Sequence, residues 1–141
     1  MQTNFLYSDY RAHLNFRIPW TANTYNDFLE NLYNIIENNF DNPLLTVGFL
    51  ATNMAVSKST LNRKLSGIIG LSANELIRQY RLKRAAIFLM CGKNVSETAY
   101  LSGFDTASYF TQCFKEFYKI TPKEYSKSNS FIIFQKLVSA H

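Results

Sequence analysis

Few residues in this sequence are of the kinds that build disulfide frameworks or metal sites. Only two cysteines, Cys91 and Cys113, occur in 141 residues, and both fall at apolar positions of helical patterns. This usage favours buried free thiols in a reduced cytoplasm over a disulfide framework or a metal site. The two histidines, His13 and His141, have no cysteine or carboxylate cluster nearby, so neither is expected to bind a metal.

Long apolar runs and catalytic patterns are also lacking. No run approaches the roughly 20 apolar residues that cross a bilayer, and no secretory signal pattern opens the chain. We therefore expect a cytoplasmic protein, and we expect that the segment given by this sequence makes no contact with a membrane. There is no His–carboxylate pair, Gly-rich phosphate loop or metal-ligand spacing, and Cys91 has no partner base. These absences argue against an enzyme, and no cofactor is expected.

The positive charge of the chain is concentrated in one region. The formal net charge is +5. Residues 1–56 contain two Lys/Arg and five Asp/Glu, a net charge of −3. Residues 57–127 contain twelve Lys/Arg and five Asp/Glu, a net charge of +7. Such a concentration fits a phosphate-facing surface, and an ordinary solvated charged face is the alternative interpretation.

The stretch over residues 94–125 predicts three short helices. Oxygen-bearing side chains stand where each helix would start, and Gly103 allows a tight turn after the first one. The predicted caps are Asn94 with Glu97, Asp105, and Thr121 with Glu124. The second helix has Phe110, Cys113, Phe114 and Phe117 on one face and polar residues on the other. This succession is typical of a helix-turn-helix unit.

The same unit occurs earlier in the chain as an internal repeat. Val47 matches Val95 at an offset of 48, and after the turn Leu61 and Leu65 match Phe110 and Phe114 at an offset of 49. The second helix of this first copy is predicted to start after a Ser57 cap and to end at Ser66-Gly67. An additional helix over residues 24–40 precedes the first copy.

Residues 72–91 connect the two copies. They open with a Ser72/Glu75 capping box, contain no proline or glycine, and are long enough for about five helical turns, roughly 30 Å. One apolar face carries Ile77, Tyr80 and Phe88, and a second face carries other apolar residues. The sequence therefore predicts an all-α fold of about seven helices, with two helix-turn-helix subdomains joined by a long central helix.

The remaining residues form two terminal segments. Residues 1–23 show no clean period and are read as a linker, a docking arm or residues from a cloning boundary. Residues 128–141 contain a β-prone apolar run and are expected to fold back on the domain or to fray. Residues 24–127 are predicted to be the functional domain.

Two helices on one rigid body can enter successive major-groove segments of DNA if they lie about 34 Å apart. The outward polar faces of the two second helices supply candidate readers of bases, and nearby lysines supply phosphate contacts. Arg63 could pair with guanine, and Asn62 or Gln112 with adenine. The candidate base-reading residues are Ser59, Asn62 and Arg63 in the first copy and Ser108, Thr111 and Gln112 in the second. The candidate phosphate contacts are Lys58, Lys64 and Lys115. For each of these, simple solvent exposure is the alternative.

The run GFDTASYFTQCFKEFYKITPKEY closely resembles the signature segment of AraC/XylS-type bacterial transcription regulators. The resemblance covers about residues 25–127 and implies a double helix-turn-helix DNA-binding domain. It implies base reading from the positions of Ser59, Asn62 and Arg63, and from those of Ala107, Ser108 and Gln112. Two departures are that Gln112 stands where the family often has a basic residue, and that Thr98 places a hydroxyl at a core position.

The segment NELIRQYRLKRAA is similar to hybrid two-component sensors that end in such a domain. This likeness implies the output end of a sensor for nutrients such as glycans. It also implies double-stranded DNA, RNA polymerase and an upstream sensor or receiver domain as partners. Activation and repression both remain open.

The competing hypothesis is a helical protein-interaction module whose outward faces bind a protein. The basic bias and the repeat favour DNA, because a protein-docking surface is expected to expose large apolar side chains. RNA binding is disfavoured, since the aromatic residues follow the core period and form no stacking platform.

Overall fold

The computed structural model describes the backbone of residues 23–128 and the side chains of residues 27–128, and every regular element among them is a helix. The helices are α1 (Asn23–Asn39), α2 (Val47–Asn53), α3 (Lys58–Ile69), α4 (Ala73–Met90), α5 (Val95–Leu101), α6 (Ala107–Tyr118) and α7 (122–128). For these residues the predicted all-α class is confirmed. The expectations for residues 1–22 and for the C-terminal tail fall outside them. Over the described residues, no helix has the length and apolar character that a membrane crossing requires.

The described residues divide into two compact units, one ending at Tyr80 and the other beginning at Arg81. Each unit has its own hydrophobic core. The first core includes Leu29, Leu32, Tyr33, Ile36, Leu50, Leu61, Leu65, Leu76 and Tyr80, and the second includes Leu82, Ala85, Leu89, Ala99, Phe104, Phe110, Cys113 and Phe114. Because the boundary falls inside α4, this helix supplies buried residues to both cores. Burial of such apolar surface is the main stabilising contribution in each unit.

One predicted core position of α4 is wrong. Phe88, which the apolar pattern places on one face with Ile77 and Tyr80, is only half-buried. The guanidinium carbon of Arg84 lies 5.7 Å from the centre of its ring. The position is therefore at the edge of the packed region, where an aromatic face can take a cation.

The internal repeat is present as two copies of the same pair of helices. Helices α2 and α5 each contain 7 residues, and α3 and α6 each contain 12. The starts of α2 and α5 differ by 48 positions, and those of α3 and α6 by 49. The second turn therefore holds one extra residue, as the sequence predicted.

Side-chain oxygens cap all four of these helices. Thr46, Ser57, Asn94 and Thr106 accept hydrogen bonds from the backbone N–H groups of Phe49, Thr60, Glu97 and Tyr109. The predicted Asn94/Glu97 capping box is confirmed, because both reciprocal bonds are present. The prediction that Asp105 caps α6 is wrong. Thr106 has the extended backbone of a cap, with φ −137°, and its hydroxyl lies 3.1 Å from the Tyr109 nitrogen.

The end of α3 lies three residues beyond its predicted position at Ser66-Gly67. Gly67 is exposed and stays helical, and the next residues, Ile68 and Ile69, pack against the first core. Their burial offsets the helix-propensity loss of about 1 kcal/mol at Gly67. The helix ends at Gly70, whose φ of +72° is the left-handed conformation that glycine adopts without strain.

The corresponding residue after α6 is Lys119, with φ +69°. A non-glycine residue in this conformation costs about 1–2 kcal/mol. A similar pair occurs in the helix-turn-helix turns, where Ala55 has φ +57° and its counterpart Gly103 has φ +88°. Each copy therefore places a glycine at one of these two left-handed positions and a strained residue at the other.

Helix α4 begins with the predicted capping box. The Ser72 N–H and hydroxyl donate to a Glu75 carboxylate oxygen at 3.2 and 3.0 Å, and the Glu75 N–H donates to the Ser72 hydroxyl at 3.2 Å. The hydrogen bond from the Ser72 backbone, followed by that from its side chain, lowers the pKa of the Glu75 carboxyl. At its other end α4 stops at Met90, and Cys91 is exposed rather than buried as predicted. Cys113 is buried, in agreement with the prediction.

The hydroxyl predicted in the second core is present and unpaired. Thr98 is 0% exposed, and its hydroxyl oxygen has no hydrogen-bond partner. Ser102, one helical turn further along, is also fully buried with an unpaired hydroxyl. The counterpart of Thr98 in the first copy is Leu50, which is buried in the other core.

We expect Thr98→Val to increase the free energy of unfolding by about 1–3 kcal/mol. The substitution keeps the shape of the side chain and removes a buried hydroxyl that has lost its hydrogen bonds to water. Thr52→Val is the matched control, because Thr52 is exposed in the first copy and the same change there should shift the free energy by less than about 0.5 kcal/mol. Urea unfolding of both variants measures the difference, and a destabilised Thr98→Val would show that the hydroxyl has a partner.

Candidate nucleic-acid interface

Helix α3 presents one apolar and one polar face. Leu61 and Leu65 are fully buried in the first core, so the side of the helix opposite them faces solvent. Ser59 and Arg63 lie four residues apart on that outer side and are both exposed. The Ser59 hydroxyl lies 3.3 Å from the Ser57 cap hydroxyl, which places it at the first turn of the helix. An outer face with a hydroxyl and a guanidinium one turn apart can form hydrogen bonds with base edges.

The charge of α3 is entirely positive. It contains Lys58, Arg63 and Lys64 and no acidic residue, and all three basic side chains are exposed. Two of them are positioned by neighbours. The Lys64 ammonium lies 5.1 Å from the centre of the Phe28 ring. The Lys58 side chain passes close to Gly48, because its Cε lies 3.2 Å from the place that a Cβ on Gly48 would occupy. The helix thus carries exposed cations at both its start and its middle, and such side chains are suited to phosphate contacts.

Asn62 differs from its prediction. Its side-chain oxygen accepts a hydrogen bond of 2.8 Å from the backbone N–H of Ala73, and the residue is half-buried. Asn62 therefore satisfies one of the free N–H groups at the start of α4. A bidentate pair with adenine needs both the oxygen and the amide nitrogen of asparagine, so the structure does not support that reading mode for Asn62.

We expect Asn62→Ala to lower the free energy of unfolding by about 1–2 kcal/mol, because the Ala73 N–H loses its acceptor. Asn62→Asp keeps an acceptor oxygen and should retain more of this stability. Thermal unfolding of the two variants separates a cap from a surface residue. Equal melting temperatures for Asn62→Ala and the unchanged chain would contradict the structural role.

Helix α6 has a similar division into two faces. Phe110, Cys113 and Phe114 are buried in the second core, whereas Ser108 and Gln112 are exposed one turn apart. Lys115 is exposed at the next turn. The other two candidates, Ala107 and Thr111, are half-buried, so their contact with any ligand is limited to one edge. The polar face of α6 is thus narrower than the sequence predicted.

One exposed lysine beside this face is not among the candidates that the sequence suggests. Lys119 is exposed and borders a shallow, open depression with Gln112, Lys115 and Glu116. Its backbone N–H donates to the Lys115 carbonyl at 2.8 Å, which closes the last turn of α6. The internal repeat could have pointed to it, because Gly70 holds the corresponding position in the first copy.

Comparison with known proteins identifies a family to which this sequence is similar. Residues 50–128 match the model of a helix-turn-helix domain family, which is more than half of the chain. Histidine kinase P4 of Formosa agariphila is 34% identical over 103 residues, which cover 72% of this chain and 8% of the kinase. Transcriptional activator PerA of Escherichia coli O127:H6 is 35% identical over 81 residues, or 57% of this chain and 29% of the activator. The chain thus spans only a minor part of both relatives.

The fold has counterparts among solved structures. The C-terminal domain of the two-component response regulator yesN from Fusobacterium nucleatum is 28% identical and superposes with a TM-score of 0.67. The superposition covers 71% of this chain and 98% of that domain. Together with the matching family model and the duplicated units, this likeness shows that the chain belongs to the AraC-type helix-turn-helix family of DNA-binding transcription regulators.

Proposed function

We propose that this chain is the output segment of a transcription regulator, and that α3 and α6 each enter the major groove of double-stranded DNA. One observation carries the proposal. The same capped pair of helices occurs twice, and in both copies the second helix is packed by its apolar side and exposes a polar one. The major groove is about 12 Å wide and admits one helix at a time. Two such helices suit two groove segments of one duplex.

Base reading is assigned to the exposed polar residues of each helix. On α3 these are Arg63, which can donate two hydrogen bonds to guanine, and Ser59. On α6 they are Ser108 and Gln112, which has both a donor and an acceptor for adenine. Ala107 and Thr111 lie at the edge of this face, where apolar contact with a thymine methyl group is the suitable interaction. Asn62 is assigned mainly to the start of α4, where it accepts a hydrogen bond from the Ala73 N–H beside the Ser72 cap.

Lys58, Lys64 and Lys115 are proposed as phosphate contacts. All three are exposed, and none lies among the buried residues of either core. Lysine is a mobile point charge that attracts phosphate without reading sequence. These residues should therefore set affinity and salt dependence, while Arg63 and Gln112 set sequence preference.

The partners of the whole protein are proposed from the relatives. A histidine kinase and a response regulator contain segments like this one, so an upstream sensor or receiver domain is a suitable source of the signal. PerA is a transcriptional activator, which makes RNA polymerase a suitable downstream partner. We further propose that residues 24–127 form the DNA-binding domain, that this segment has no catalytic activity of its own, and that it works in the cytoplasm.

The surface of α3 favours DNA over a protein partner. The large exposed hydrophobic residues of the described chain are Leu44, Met90, Tyr100 and Tyr109. None of them belongs to α3, whose outer face is polar and basic, whereas Tyr109 lies on α6 next to Ser108. A protein-docking helix usually presents an apolar stripe along its exposed side.

Selection from random duplexes followed by titration tests the proposal. The 141-residue chain is used to enrich duplexes from a random pool. The most enriched duplex is then labelled with a fluorophore and titrated with the protein at several salt concentrations. We expect a preferred sequence, affinity that falls steeply with salt, and two protected patches about one helical turn apart in a footprint. No enrichment, or affinity independent of salt, would contradict DNA binding and favour the protein-interaction hypothesis.

A further inference from the structure

Lys119 has a backbone conformation that its side chain disfavours. Its φ of +69° lies in the left-handed region, and among the described residues only Ala55 shares this feature without being glycine. Such residues persist where the surrounding structure fixes them, and they are found most often at functional sites. The Lys119 N–H bonds to the Lys115 carbonyl at 2.8 Å and completes the last turn of α6, and the left-handed φ of Lys119 then turns the chain out of the helix.

The first copy meets the same need with glycine. Gly70 ends α3 with φ +72°, and its N–H bonds to the Ser66 carbonyl at 3.1 Å. Nothing lies within 4 Å of where a Cβ on Gly70 would be, so this position is open on the outside. Both copies thus build the same turn, and only the second adds a long cationic side chain to it. The turn itself does not require that side chain.

The place of Lys119 on α6 connects it with the proposed reading face. Gln112 and Lys115 lie one turn apart on α6, Lys119 directly follows the end of the helix, and all three border the same shallow depression. Seven residues correspond to about 10 Å along the helix axis. If Gln112 contacts a base edge in the major groove, a flexible lysine about two turns away can reach the phosphates of the backbone that borders the groove.

We propose that Lys119 binds a DNA backbone phosphate beside the segment that Gln112 reads, and that the chain keeps lysine in a strained turn for this contact. This inference rests on the proposed function. Glu116 borders the same depression, so a second cation next to Lys115 also balances its negative charge near the DNA. The ligand chemistry is a phosphate diester, recognised by charge and without sequence preference.

The test uses two substitutions and two readouts, with backbone strain read from the melting temperature and the phosphate contact read from the salt dependence of DNA affinity. Lys119→Gly removes both, and Lys119→Arg keeps both. We expect Lys119→Gly to melt about 2–8 °C higher, yet to bind the selected duplex about five- to tenfold more weakly at 0.1 M salt. The negative slope of log affinity against log salt concentration should become less steep by about 0.9. Lys119→Arg should retain the slope and the melting temperature of the unchanged chain.

Lys123→Ala is the matched control for loss of a positive charge in the same unit. Lys123 is exposed on α7 and does not border the depression that Gln112, Lys115 and Lys119 line, so its removal should leave the salt slope unchanged. A Lys119→Gly chain that is more stable and binds DNA with unchanged affinity and slope would overturn the inference while leaving DNA binding intact. An unchanged chain without salt-dependent DNA affinity would instead overturn the proposed function, and this inference with it.

Discussion

Arg63→Ala is expected to weaken binding to the selected duplex about 5- to 150-fold, which corresponds to about 1–3 kcal/mol. Arg63 is exposed on the outer side of α3, opposite the buried Leu61 and Leu65, so truncation removes little packing. Its guanidinium can give two parallel hydrogen bonds to one guanine, and this geometry is what discriminates bases. Titration against the selected duplex and against variants changed at single base pairs measures both effects. The preference should relax at one base pair and persist at the others.

Two controls separate base reading by Arg63 from its charge. Arg63→Lys retains the charge and loses the planar fork, so it should recover affinity for unrelated duplexes but not the preference for the selected base. Lys64→Ala removes the neighbouring charge and should weaken binding to all duplexes by a similar factor. If Arg63→Lys bound the selected duplex as well as the unchanged chain, Arg63 would act as a phosphate contact only.

The local signals of the sequence predicted much of the fold. Offsets of 48 and 49 between apolar positions predicted two copies of one helix pair with one extra residue in the second turn, because each pair buries the same pattern in its own core. The Asn94/Glu97 box was also predictable, since its partners are three residues apart and depend on no other helix. Interactions confined to one turn or one helix face are fixed by residues close in sequence.

The errors concern positions that depend on packing between helices. Asn62 appeared to belong to the outer face of α3, but its oxygen bonds to the Ala73 N–H, eleven residues away. The helical period predicts on which side of its helix a residue lies. It does not predict whether the start of another helix packs against the edge of that side. The extension of α3 past Gly67 has the same origin, because contacts of Ile68 and Ile69 with the core outweigh a weak local preference.

The capping error at Asp105 and the unpredicted left-handed conformation of Lys119 arise from a different cause. Aspartate and threonine are both good caps, so two adjacent candidates could not be separated without the backbone angles. Lysine is not a residue from which a left-handed turn is normally predicted. Alignment of the two copies would have indicated it, since Gly70 stands where Lys119 stands.

Phe114→Ala is expected to lower the free energy of unfolding by about 3–5 kcal/mol, a large part of the 5–15 kcal/mol typical of a whole domain. Phe114 is fully buried, and its ring centre lies 4.5 Å from that of Tyr118, 5.3 Å from Tyr125 and 5.6 Å from Phe110. Truncation removes these contacts together and leaves a cavity that the rigid aromatic neighbours cannot fill by small movements. Denaturant unfolding measures the loss.

The matched substitution in the first copy is Leu65→Ala, which should cost about 2–5 kcal/mol. Leu65 and Phe114 belong to different cores, so hydrogen exchange should locate the faster-exchanging amides in α3 for Leu65→Ala and in α6 for Phe114→Ala. Because α6 is held by the core around Phe114, the loss should also weaken DNA contact through Gln112 while Arg63 keeps its preference. An unchanged unfolding midpoint for Phe114→Ala would show that the aromatic cluster does not hold α6 in place, and would remove the packing basis for assigning Gln112 to the groove.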